Sequence, residues 1–146
     1  MNDMKKILTC LLSILGLTTA CGQANFENVD VKGFAELMNN PNVVVLDVRT
    51  AEEFREGHLK GALNIDQAQR DFIEKTKAML TADKTIAVYC RSGRRSANAA
   101  GRLAAEGYKV VNLKGGIIAW KEAKMPVTTD TYKADVFKTK IGKTLE

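Results

Sequence analysis

A chain of 146 residues, 45% hydrophobic and 27% charged, has room for one globular domain with a substantial core and none for a second. Its formal net charge of +5 is a mild excess without a basic stripe interleaved with aromatic side chains, so it describes no nucleic-acid interface and suits small anionic ligands. A single histidine argues against a metal centre, and no cofactor is expected.

In chain order, Lys5 and Lys6 precede an apolar run over residues 7–17, then Thr18, Thr19, Ala20 and Cys21. This is the layout of a secretory signal peptide over residues 1–20, and its apolar run is shorter than the roughly 20 residues that span a bilayer. Cys21 directly after "LTTA" resembles a bacterial lipoprotein signal, in which the cysteine behind the cleavage site receives the lipid. Thr18 departs from that pattern, since an aliphatic residue is usual three places before the cysteine; Leu17 sits one place further off. The expectation is an exported periplasmic or cell-envelope lipoprotein, held to the membrane by its lipid anchor only, each buried methylene contributing about 0.8 kcal/mol. Ordinary cleavage after Ala20, giving a soluble periplasmic or secreted protein, is the alternative. Removing residues 1–20 takes away Asp3, Lys5 and Lys6, leaving 20 basic against 16 acidic side chains. Cys10 leaves with the signal and Cys21 takes the lipid, so Cys90 is left as an unpaired thiol in an oxidising compartment, which marks it as a reactive candidate.

Residues 21–27 read as a spacer, 28–127 as the folded domain and 128–146 as a lysine-rich tail without a readable motif. Val31, Phe34, Leu37 and Met38 recur at helical spacing until "NNPN" breaks the pattern. "VVVLDV", 43–48, is a continuous branched run of the kind buried on both faces of a parallel sheet. Thr50 and Glu53 form a capping-box pattern opening a brief helix that Gly57 closes. An irregular stretch leads to residues 63–65, and 67–80 carry Phe72, Ile73, Met79 and Leu80 among charges, which predicts an amphipathic helix. "TIAVYC", 85–90, predicts a second buried strand. A following helix sets Ala97, Ala100, Leu103 and Ala104 on one side and stops at Gly107; "YKVVNL" predicts a third strand and "GGIIAWKEA" a last short helix. Strands alternating with helices predict an α/β domain with a mostly parallel sheet, whose ligands bind at the carboxyl ends of strands. Cys90 lies at such an end.

The stretch "CRSGRR", 90–95, sets this cysteine in a glycine turn with Arg91, Arg94 and Arg95 before a helix. Backbone amides of such a turn, with Ser92 and Gly93, form an anion nest, and the helix adds its positive N-terminal end. That end contributes up to about 2 kcal/mol and one pKa unit is about 1.4 kcal/mol, enough to bring a thiol from roughly 8.5 to near 7. A functional thiolate is therefore expected at Cys90. Arg91 and Arg95 are the candidates for holding a donor's oxyanion, and Arg94 is the arginine that solvation alone could explain.

The segments "VVVLDVRTAEEFREGHLKGALNI", "VYCRSGRRSANAAGRLAAEGY" and "VVNLKGGIIAW", in this order, resemble a single rhodanese-like domain over about residues 28–127. The resemblance implies a five-stranded, mostly parallel sheet flanked by helices on both faces. It also implies sulfur transfer through a persulfide on Cys90, with residues 90–95 as the active-site loop. Small anionic donors such as thiosulfate, a thiol or cyanide acceptor, and a protein acceptor are the implied partners. Asp47 and Arg49 are implied to tie the loops around the site, and His58 within "GHLKGA" reads as framework, as Trp120 reads as core. A non-turnover persulfide carrier or redox sensor would use the same loop. A cysteine phosphatase or arsenate reductase usually places an arginine six residues after the cysteine; here that residue is Ser96, and Arg95 comes one place early.

Overall fold

A computed structural model describes residues 25–130. The signal-peptide and Cys21 expectations, and the tail beyond residue 130, lie outside the described residues. The elements run β1 (Glu27–Val29), α1 (Val31–Met38), β2 (Val43–Asp47), α2 (Ala51–Glu56), β3 (Leu63–Asn64), α3 (Phe72–Met79), β4 (Thr85–Tyr89), α4 (Arg94–Ala105), β5 (Lys109–Leu113) and α5 (Gly116–Glu122). The five strands form one parallel sheet in the order β1-β5-β4-β2-β3, the fold that the sequence segments imply.

The period of two along each strand divides the core in two. Val44 and Leu46 of β2 with Ile86 and Val88 of β4 face Phe72 of α3 and Ala99, Ala100 and Leu103 of α4. Val43 and Val45 with Ala87 and Tyr89 face Phe34 of α1 and Ile117 and Trp120 of α5. Helices therefore cover both sides, and every residue of β2 is buried, as its unbroken apolar run requires. Each buried valine, leucine, isoleucine or phenylalanine here contributes about 1.5–3 kcal/mol relative to leaving it in water. Trp120 belongs to this core, with its indole N–H donating to the Pro126 carbonyl at 2.9 Å.

Two element boundaries and one helix face differ from the sequence reading. Strand β1 takes in Glu27, the last residue of the expected spacer, together with Asn28 and Val29; it pairs only with β5 and is mostly exposed, so it shows no apolar alternation. The helix expected over 67–80 begins at Phe72, because the Gln67 N–H donates to the Val48 carbonyl and Asp66 Oδ1 accepts from the Ala68 N–H, holding this segment to the sheet edge. In α4 the buried residues are Ser96, Ala99, Ala100 and Leu103, a stripe rotated from the expected one: Ala97 and Ala104 are half-buried. Gly107 does close α4, with φ +93°, its N–H on Ala104 O and the Tyr108 N–H on Leu103 O, a Schellman arrangement.

Candidate active site

Cys90 follows the last residue of β4 and is fully buried where the strand gives way to the turn. Gly93 is the N-cap of α4, and its φ of +97° turns its N–H onto Cys90 Sγ at 3.1 Å. The Ser96 hydroxyl, buried in the first turn of α4, donates to the same sulfur at 3.3 Å. The loop's carbonyls face the other way: Cys90 O accepts from Ile117 N at 2.9 Å and Arg91 O from Ile118 N at 3.1 Å, both at the start of α5. Carbonyls turned out and amides turned in make the nest. This docking requires glycine at 116, with φ +60°, where a Cβ would stand 2.3 Å from Arg91 O and 2.7 Å from Cys90 O.

Burial pushes the Cys90 thiol up, but hydrogen bonds from the Ser96 hydroxyl and the Ser96, Gly93 and Ser92 amides outweigh it, leaving the thiol below its ordinary range. The sequence reading assigned part of this effect to arginine charge. In the structure the hydrogen bonds from Ser96 and the loop amides are the leading lowering influences, and of the arginines Arg95 keeps a charge interaction with Cys90. Arg91 and Arg94 are exposed and form no ion pair among the described residues. Arg95, expected to hold a donor's oxyanion, has Nη1 and Nη2 on Glu53 Oε1 and Oε2 at 2.8 and 2.9 Å. Glu53 is also the N3 residue of α2, completing the capping box with Thr50. The Arg95 guanidinium first and Thr50 after it hold the Glu53 carboxyl at about 2, with partial burial opposing them.

Asp47 and Arg49 stand beside this loop, at and just after the end of β2. Their ion pair is buried, with Arg49 Nη2 on Asp47 Oδ2 at 2.7 Å and on the Gly57 carbonyl at 2.7 Å. Tyr89 donates its hydroxyl to Asp47 Oδ2 at 2.5 Å and accepts from the Leu59 N–H. Burial and then the Asp47 charge push the Tyr89 phenol well up, so it remains a donor. Asn64 donates to the Asp47 and Arg49 carbonyls. This network joins the ends of β2, β3 and β4 to the turn after α2. A buried pair so fully bonded fixes geometry more than it adds stability.

His58 forms a clasp. Its Nδ1 lies 2.8 Å from Phe54 O and its Nε2 2.9 Å from Asp130 O, its ring stacks on Phe54 at 3.7 Å, and its backbone bridges Thr128. It ties the end of α2 to the chain leaving α5. Three contributors were missed in the sequence: Ser96 as a donor to sulfur, Glu53 as the partner of Arg95, and Gly116 as the seat of the loop. The "GG" before a helix was a signal for the last; nothing local signals a pairing between Glu53 and Arg95.

A cysteine sulfur seated among amide and hydroxyl donors at the carboxyl end of a parallel sheet defines a class of α/β domain built to stabilise negative charge on that sulfur. The sequence profile of the rhodanese-like domain matches residues 30–123, and the chain belongs to that family. Over 97 residues it is 39% identical to thiosulfate sulfurtransferase 18 of Arabidopsis thaliana, covering 58% of this chain and 71% of that protein. A sulfurtransferase of Allochromatium vinosum is 36% identical over 92 residues, covering 62% of this chain and 83% of that one. The crystal structure of a rhodanese-related protein from Thermoplasma volcanium superposes with a TM-score of 0.65 at 32% identity, covering 72% of this chain and all of that one.

Proposed function

We infer that the protein is a sulfurtransferase that carries sulfane sulfur as a persulfide on Cys90. The observation that carries this reading is the seat of Sγ, which receives the Gly93 N–H and the Ser96 O–H while the neighbouring carbonyls are turned outward. The sulfurtransferase names of its relatives agree with it. The Cys90 thiolate attacks the sulfane sulfur of thiosulfate or of a persulfide donor. A bond forms from Sγ to that sulfur, the donor's S–S bond breaks, and its electron pair leaves with sulfite or a thiolate. The outer sulfur then lies among donors already oriented, which lowers the barrier without rearrangement. A thiol or cyanide attacks the outer sulfur and returns the electron pair to Sγ, regenerating the hydrogen-bonded thiolate.

Incubation with thiosulfate, and in parallel with a small hydropersulfide, should add one sulfur atom to the intact mass. Cyanide should remove it as thiocyanate, and Cys90→Ser should do neither. Failure of both donors to load the wild-type protein overturns the reading.

Export and lipidation of Cys21 are a separate proposal, resting on the layout of residues 1–21. Membrane fractions of expressing bacteria should hold the protein until detergent is added, and Cys21→Ala should release it into the soluble envelope fraction. Equal partition of both forms counts against the lipid anchor.

A further inference from the structure

After its exposed first residue, β5 is apolar except at Asn112, which is 2% exposed. Register sets Asn112 between Asn28 of β1 and Val88 of β4. A valine at this place would be buried without desolvating a polar group. The asparagine is not, because its Oδ1 is buried and has no hydrogen-bond partner among the described residues. The nitrogen dictates how the side chain lies. Asn112 Nδ2 donates to Asn28 Oδ1 at 2.9 Å and to the Gly93 carbonyl at 3.4 Å. A backbone carbonyl only accepts, so turning the amide over would set its oxygen against that of Gly93.

Gly93 links this buried amide to the sulfur. Its N–H donates to Cys90 Sγ at 3.1 Å, and its carbonyl, besides meeting Asn112, accepts from Ala97 N at 3.0 Å in the first turn of α4. The end of β5 packs closely on the same residue, since a Cβ on Gly93 would stand 3.3 Å from Leu113 O and 3.2 Å from Gly115 N. Hydrogen bonds therefore run from Asn28 through Asn112 and Gly93 to Cys90, from an edge strand to the sulfur. Asn112 lies outside the 90–95 loop and touches no reacting atom.

We propose that Asn112 is a positioning residue for sulfur transfer which, oriented by Asn28, holds Gly93 so that its N–H stays on Cys90 Sγ. This rests on the sulfurtransferase reading and adds a support for its site. The physical reason is stiffness. Glycine has the widest backbone freedom of any residue, and a hydrogen bond weakens steeply as its angle closes. Pinned at its carbonyl as well as along its backbone, Gly93 presents its N–H already aimed when negative charge settles on the sulfur. Released on that side, the N–H drifts from Sγ and favours the thiolate less.

Asn112→Val separates positioning from folding. It strands no buried group, because the Gly93 carbonyl keeps Ala97 N, Asn28 is exposed, and the unpartnered Oδ1 leaves with the amide. Denaturant unfolding should show an equal or higher midpoint. The ultraviolet titration of Cys90 should nevertheless move upward by about half a pH unit, and sulfur loading near pH 7 should slow about threefold, the matching loss of thiolate. A merely structural asparagine would give the reverse, a lower midpoint and an unmoved titration. Asn28→Ala removes the acceptor that orients Asn112 and should move the titration in the same direction by less. If Asn112→Val folds and its Cys90 titrates as in the wild type, the role of Asn112 is overturned while sulfurtransfer stands. If that variant does not fold, an unmoved titration in Asn28→Ala overturns it. If neither thiosulfate nor a small hydropersulfide loads the wild-type protein, the sulfurtransferase reading falls, and the titration still decides whether Asn112 positions Gly93.

Discussion

Two neighbouring strand-to-helix turns use their helix N-termini in opposite ways. β2 and β4 are paired in parallel register, Asp47 beside Tyr89, so the turns that follow them stand side by side. After β2, Thr50 caps α2 with its side chain, Glu53 completes the box, and the first turn carries Glu52 and Glu53, the charges a helix N-terminus favours. After β4, Gly93 caps α4 with no side-chain hydrogen bond, and the first turn begins with Arg94 and Arg95. Cations there oppose the helix dipole by about 0.3–1 kcal/mol each at the surface. The first turn satisfies its amides with its own side chains and is structural. The second leaves amides free for a sulfur and accepts charges of the wrong sign for a helix start, a local inconsistency of the kind functional sites show. Glu53 joins the two turns, capping one and gripping the arginine of the other.

The second turn is most vulnerable at its seat on α5. Gly116→Ala places a Cβ against the Arg91 and Cys90 carbonyls at a positive φ, and should cost about 3 kcal/mol in denaturant unfolding. The displaced loop should also lower sulfur transfer about a hundredfold. A variant with wild-type unfolding and turnover would show that the carbonyls do not depend on this contact.

Ser96→Ala should act on chemistry more than on folding. The Ser96 hydroxyl favours the thiolate, so removing it raises the thiol and moves the rising limb of the pH–rate profile towards higher pH. Near pH 7 the rate should fall roughly tenfold, the scale of one hydrogen bond to a charged group. Direct ultraviolet titration of Cys90 checks the sign; an unmoved or lowered titration would remove Ser96 from the nest.

The smallest effect sharpens the contrast from the first turn. Thr50→Ala removes a cap whose oxygen accepts from the Glu53 N–H, and should cost about 1 kcal/mol of stability. Because that cap serves the structural turn, the ultraviolet titration of Cys90 should stay where it is. A shift in that titration would mean that the two turns are coupled through Glu53 more tightly than the hydrogen bonds imply.

Several elements were legible along the chain because their causes are local. β2 and β4 are apolar runs of the right length, the Thr50–Glu53 box lies within four residues, and Gly107 ends α4 where a left-handed turn is needed. β1 was not legible, since three mostly exposed residues draw their strand character from pairing with β5. The start of α3 was misplaced for a related reason: residues 67–71 have a helical sequence pattern, but the Gln67 amide is held by Val48 across the sheet. The same division runs through the site. Cys90 at a strand end, with Gly93 and a helix behind it, is a contiguous motif; the partner of each arginine is not.

By itself the sequence determined the parallel α/β alternation, the position of Cys90 at the carboxyl end of a strand and the nest of residues 90–95, because each depends on neighbours within a few residues. Only the tertiary structure decided that hydrogen bonds from Ser96 and the loop amides lead in favouring the thiolate, with Arg95 the arginine whose charge reaches it. It also decided that Gly116 seats the loop carbonyls and that Glu53 takes Arg95. Glu53 and Arg95 are 42 residues apart in the chain. A guanidinium takes whichever carboxylate the packed sheet brings within hydrogen-bond reach, and that distance exists only once β2 lies against β4.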